Sequence, residues 1–332
     1  MDVWWSMRPT GAYSTTQKIM SRACGAARQG TRKMSIDYTP GYMIETHELR
    51  RSFKTKEAVG GISFGVARSA IFGLLGPNGA GKTTTIRMLT GQIDPSGGSA
   101  TVAGCDVVKD RARLKEHIGV VFEEQNLYER LSARNNLEFS CWLYGLPTSR
   151  ADEVLDLVRL RDRAKDKIST FSNGMRQRIM IARALLHRPP VLFLDEPSRG
   201  LDPIAAHEVR NTIAQLRDEG MTILLTTHLM EEADQLCQQV AFIVDGKLVA
   251  NDTPRNLKLV HGQRELVVTL ADEYHNKHNG HNAWQETTLK LDDANDQQQL
   301  AHWMAQGKIL AIHSREATLE EVFIEVAGVR PA

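Results

Sequence analysis

From residue 44 to about residue 254 the chain alternates short apolar runs with glycine-bearing turns and stretches of helical periodicity. Residues 71–75, 191–194, 222–225 and 240–244 read as strands, and residues 175–186 as a helix. This alternation predicts a parallel α/β sheet with helices on its faces. Past residue 254 the pattern changes. Strands are expected at 265–270, 288–291 and 309–312 and helices at 297–305 and 318–326, together a compact α+β appendage over residues 255–332. Residues 1–43 carry neither periodicity; they are basic through Arg8, Lys18, Arg22, Arg28, Arg32 and Lys33 and nearly free of acids, so disorder is expected there. Their composition has some flavour of an organelle transit peptide. Met34 and Met43 both precede the first patterned strand, however, and an upstream or misassigned start is preferred to targeting. No internal repeat or sustained heptad is present.

Length and composition narrow the classes. A chain of 332 residues with 42% hydrophobic content can bury one large core and a small second one. The 41 basic and 40 acidic residues leave a formal charge of +1, which offers no global field for nucleic acid or an anionic bilayer. Cys24, Cys105, Cys141 and Cys237 lack CxxC or zinc-finger spacing, so a disulfide framework and a structural metal are not expected. The apolar runs at 71–75 and 240–244 fall far short of the roughly 20 residues that span a bilayer.

The chemistry begins directly after the strand at 71–75, where Gly76, Pro77, Asn78, Gly79, Ala80, Gly81, Lys82 and Thr83, followed by Thr84, form a complete Walker A sequence. Its glycines let successive backbone N–H groups turn toward phosphate oxygens, and the helix that follows adds the positive end of its dipole. Lys82 is expected to reach the β- and γ-phosphates of ATP and the Thr83 hydroxyl to ligate Mg²⁺. A second apolar strand ends in Asp195 and Glu196, two carboxylates at the carboxyl edge of the sheet. Asp195 is read as a holder of Mg²⁺ and Glu196 as the group that polarises an attacking water.

Over residues 48–252 the chain resembles the ATP-binding cassette family. Pro197 to Asp202 is similar to that family's D-loop, Thr226, Thr227 and His228 to its switch histidine, and Phe53 to the aromatic on which adenine stacks. Ser172, Asn173 and Gly174, ahead of a helix, resemble a degenerate cassette signature; such a helix end attracts phosphate. The resemblance implies that this phosphate belongs to ATP held by a second cassette, so that a homodimer or a pair with a close relative is required. Glu123 stands where most members carry the Q-loop glutamine and is read as a nucleotide and Mg²⁺ ligand, with Gln125 as the alternative if the loop shifts by two residues. Leu127, Tyr128, Leu131, Trp142, Leu143 and Tyr144 could offer an apolar cleft to a permease, although ordinary packing explains most of them individually. Ser69 and Ala70 replace the family's usual Gly-Glu, a change expected to alter a turn. His275, His278 and His281 invite a metal reading, but the interleaved Asn and Gly favour a loop.

The closing stretch from Thr318 to Glu325 is similar to the end of exporter subunits linked to antibiotic resistance and nodulation-factor export. The expected protein is therefore a P-loop cassette with an inserted helical subdomain and a C-terminal α+β appendage. It would hydrolyse ATP with Mg²⁺ at the cytoplasmic face of the membrane, driving export through a separate permease, with no nucleic acid partner. Two other classes compete with this reading. Soluble cassette ATPases of translation or DNA repair usually carry two cassettes or a long coiled-coil insertion, and this chain has neither. A nucleotide-binding regulator without turnover is disfavoured by Glu196 and His228.

Overall fold

The structure, a computed structural model, describes residues 41–54, 56–124, 126–262, 265–271 and 284–328. Residues 1–40, Gln125, His275, His278 and His281 lie outside the described residues. Every residue of β3 (Ile71–Leu75), β7 (Val191–Asp195) and β8 (Thr222–Thr227) is buried, the condition of strands covered on both faces. With β6 (Ile118–Val121), β9 (Gln239–Val244) and β10 (Lys247–Asp252) they form a six-stranded sheet in the order β10-β9-β3-β8-β7-β6. Its neighbours run parallel except β10, which pairs antiparallel with β9 at the edge.

The period of two along these strands sorts their side chains into two cores. Ile71, Leu75, Leu192, Leu194, Ile223 and Leu225 enter one, whereas Phe72, Leu74, Val191, Phe193 and Leu224 enter the other. The second core is closed by an antiparallel sheet ordered β2-β1-β4-β5, from β1 (Tyr42–Phe53), β2 (Lys56–Ala67), β4 (Gly97–Val102) and β5 (Cys105–Asp106). Helices α1 (Lys82–Leu89) and α2 (Arg111–His117) fill it with Ile86, Met88, Leu89 and Leu114. The first core takes α3 (Ala133–Tyr144), α4 (Ser149–Leu157) and α5 (Asn173–Ala184), the inserted helical part, together with α6 (Pro203–Asp218) and α7 (Met230–Leu236). Helix α5 starts two residues before the position expected from periodicity because the Ser172 hydroxyl caps it, accepting from the Met175 N–H at 3.3 Å.

After α8 (Pro254–His261), strands β11 (Glu265–Ala271), β12 (Trp284–Lys290) and β13 (Ile309–Arg315) make a separate antiparallel sheet ordered β12-β11-β13. Strand β12 begins four residues before the expected 288. Its register runs unbroken along β11, from Glu265 opposite Lys290 to Ala271 opposite Trp284, but its mostly exposed, polar residues left little apolar pattern to read. Helices α9 (Ala294–Ala305) and α10 (Leu319–Ala327) complete the segment. Helix α10 starts in a capping box between Thr318 and Glu321. Its Leu319 and Val322 enter the first core, and Phe323 meets Phe242 of β9 edge-on with ring centroids 5.3 Å apart. The last helix is thus part of the core of the main sheet.

Candidate active site

Between β3 and α1 the backbone turns tightly enough to exclude side chains. A Cβ on Gly76 would lie 2.2 Å from the Ile243 carbonyl oxygen, and one on Gly81, where φ is 109°, 2.5 Å from that of Ala58; only glycine fits either place. Gly81 caps α1 without any side-chain hydrogen bond, so the first N–H groups of the helix are left for an external anion. Lys82 Nζ donates to the carbonyls of Gly76 (2.7 Å) and Pro77 (3.3 Å) and lies 3.1 Å from Glu196 Oε1. The two side chains are only 6% and 5% exposed, so each charge depends on its partner.

Asp195 and Glu196, adjacent in sequence, diverge in space. Asp195 Oδ1 accepts from the hydroxyls of Thr83 (3.3 Å) and Thr226 (2.5 Å). Glu196 then takes φ of 52°, and its N–H donates to the Thr226 carbonyl at 3.0 Å. Its carboxylate thereby receives Lys82 on one oxygen and His228 Nδ1, at 2.7 Å, on the other. The structure therefore brings Lys82, Thr83, Asp195, Glu196 and His228 together at one edge of the sheet. Thr226 holds both carboxylates in place, a role the sequence reading missed. The only available signal was its position directly before a second Thr and the histidine.

Ser172 and Asn173 are exposed at the start of α5, and Gly174 is buried against Ala205, whose Cβ would stand 2.6 Å from a Cβ added at Gly174. No hydrogen bond among the described residues joins this turn to the loop at 76–83. Glu123, in the loop after β6, pairs with the Arg199 guanidinium; Thr83 and Asp195 bond to each other instead.

Residues 59–199 match the family model for ABC transporters. Over 309 residues the chain is 38% identical to the fluoroquinolones export ATP-binding protein of Mycobacterium tuberculosis, a match that covers 93% of this chain and 98% of that one. The chain belongs to the ATP-binding cassette family. It is also 43% identical over 219 residues to the linearmycin resistance ATP-binding protein LnrL of Bacillus subtilis, covering 65% of this chain and 70% of that one. Among solved structures, cbiO1 of Clostridium perfringens, part of the cbiONQ transporter complex, superposes with a TM-score of 0.63 at 26% identity, covering 67% of this chain and 92% of that one. This cassette is an ATP-binding subunit with ATPase activity.

Two further expected residues take definite places in the cassette. Asp202 caps α6, its Oδ1 accepting from the N–H groups of Ile204 (3.1 Å) and Ala205 (3.0 Å). Phe53, at the end of β1, is 45% exposed and carries the Arg51 guanidinium 4.5 Å from its ring centroid.

The turn after Glu196 is anchored from below: the Ser198 hydroxyl donates to Glu232, a carboxylate in α7 that is 2% exposed. Burial pushes the Glu232 carboxyl above its ordinary range, against opposing bonds from Ser198 and Thr227. A raised folded-state pKa means that the native cassette binds the proton more tightly than the unfolded chain. Stability from this group is complete below the ordinary carboxylate range and is lost as pH rises through the folded pKa. Glu232→Gln should therefore raise the melting temperature at pH 8 and confer no gain near pH 4. Thermal unfolding at the two pH values checks it, and a gain confined to acid pH would show that the carboxylate is stabilised as the anion.

Proposed function

We propose that this cassette drives export through a separate membrane permease, working at the cytoplasmic face as one half of a two-cassette ATP sandwich. The observation that carries the reading is a pair of half-sites that no hydrogen bond among the described residues joins. The loop at 76–83 offers its own Lys82 and helix N-terminus to phosphate, while Ser172 and Asn173 stand exposed elsewhere on the surface, at a second helix N-terminus. Each completes a site only against another chain, a homodimer being the simplest pairing.

Within a site, Lys82 and the N–H groups of α1 hold the β- and γ-phosphates. The hydroxyl of Thr83 and the carboxylate of Asp195 are hard oxygen donors 3.3 Å apart, a set that suits Mg²⁺; when bound, the ion neutralises charge on the phosphate oxygens. Glu196 accepts a hydrogen bond from the attacking water and orients it, and His228 holds the other oxygen of that carboxylate. Phe53 offers adenine the ring face away from Arg51.

Support for a permease comes from an open groove of about 760 Å³ lined by Leu127, Tyr128, Phe139, Leu143 and Tyr144. Tyr128, Leu143 and Tyr144 are each more than half exposed, as is neighbouring Trp142, an apolar surface of the kind that marks a partner site. Among the described residues no helix is long and apolar enough to cross a membrane. The names of the relatives favour export over import.

The sandwich is tested by analytical ultracentrifugation of the hydrolysis-blocked Glu196→Gln chain. With Mg²⁺ and ATP it should shift from monomer to dimer. Adding Ser172→Arg should abolish the shift while ATP binding persists. A dimer that still forms with arginine at 172 would remove the signature turn from the shared site.

A further inference from the structure

Glu123 stands where most members of the resembling family have a neutral amide, and the structure supplies that carboxylate with a cation. Arg199 Nη1 pairs with Glu123 Oε1, each side chain a little under half exposed. The two belong to different loops. Arg199 closes a turn by donating its backbone N–H to the Glu196 carbonyl at 3.2 Å. That turn is fixed at two points just before Arg199, through Glu196 to Lys82 and His228 and through Ser198 to Glu232. Glu123 comes from the loop leaving β6. Three residues on, Asn126 is held by Arg183, and Asn126, Leu127 and Tyr128 line the groove described above.

We propose that Arg199 is a positioning residue for Glu123, neutralising its carboxylate and tying the groove-side loop to the turn that carries Glu196. The proposal deepens the nucleotide site described above and rests on it. Asp195 and Glu196 already place two carboxylates at this edge of the sheet. A third, uncompensated, would repel a polyphosphate unless a metal ion screened it; the guanidinium removes that repulsion without metal. The tie also joins two places that must respond together if docking at the groove is to reach the hydrolytic carboxylate, and a shared ion pair is a physical link whose coupling can be measured.

The experiment is displacement of trinitrophenyl-ATP from the purified chain in EDTA at low ionic strength, where exposed charges are least screened. Wild type, Arg199→Ala, Glu123→Gln and the double variant are compared. Because the pair is partly exposed, Arg199→Ala should weaken ATP binding by about two- to fivefold. In the Glu123→Gln background the same substitution should do nothing, and Arg199→Lys should recover part of the loss. Partial exposure of both side chains keeps the variants folded, which thermal unfolding of all four verifies. An equal loss in both backgrounds, or none in wild type, overturns the proposal. Lys82→Ala in the same assay separates the two readings, since retained affinity there overturns the nucleotide site itself and the proposal with it.

Discussion

Glu196→Gln should lower ATP turnover by about 10²- to 10⁴-fold, the usual contribution of a positioned general base, while ATP binding is retained. The amide keeps the shape of the carboxylate and one acceptor oxygen, so Lys82 or His228 can still be satisfied at 3.1 Å or 2.7 Å. It cannot draw a proton from water. The backbone at 196 is set by Thr226 rather than by the side chain, while the buried Lys82 ammonium loses its counter-charge, a cost in the free chain that bound phosphate offsets. Phosphate release at saturating ATP, measured beside displacement of trinitrophenyl-ATP, separates the two steps. Turnover near the wild-type rate would move the hydrolytic role to another group, and loss of binding would show that Glu196 acts mainly by holding Lys82.

What could be read from the sequence follows from how local each feature is. Strands β3, β7 and β8 were legible because burial on both faces demands an uninterrupted apolar run, and the phosphate loop because its glycines and Lys82 are consecutive. The divergence of Asp195 from Glu196 was not legible. It depends on Thr226, which pairs with Asp195 only through the parallel register of β7 with β8. The pairing of Glu123 with Arg199 was hidden for the same reason: their loops meet because β6 and β7 are neighbours, although the residues are 76 positions apart. Helix α10 was predicted as a helix, but its seat against Phe242 of β9 requires the chain to return across the small sheet. No local pattern encodes that return.

Lys82→Ala should weaken ATP binding by about 2–4 kcal/mol, roughly 30- to 1,000-fold, the range for truncating one member of a buried, hydrogen-bonded charge pair. Two effects combine in that loss. The phosphates lose their cation, and Glu196, 5% exposed, keeps only His228 as a partner. The second effect also destabilises the fold, by about 3–5 kcal/mol where a buried charge is left unmatched. The carbonyls of Gly76 and Pro77 lose a donor at the same time. The two effects part company in the double variant. Adding Glu196→Gln removes the stranded carboxylate, so most of the lost stability should return in urea unfolding, whereas nucleotide affinity should stay low because nothing has replaced the ammonium group. If affinity and stability recover together, the role of Lys82 is to hold Glu196 in place. If neither recovers, the stability loss comes from the loop carbonyls. Low affinity with restored stability is the result that makes Lys82 the phosphate ligand.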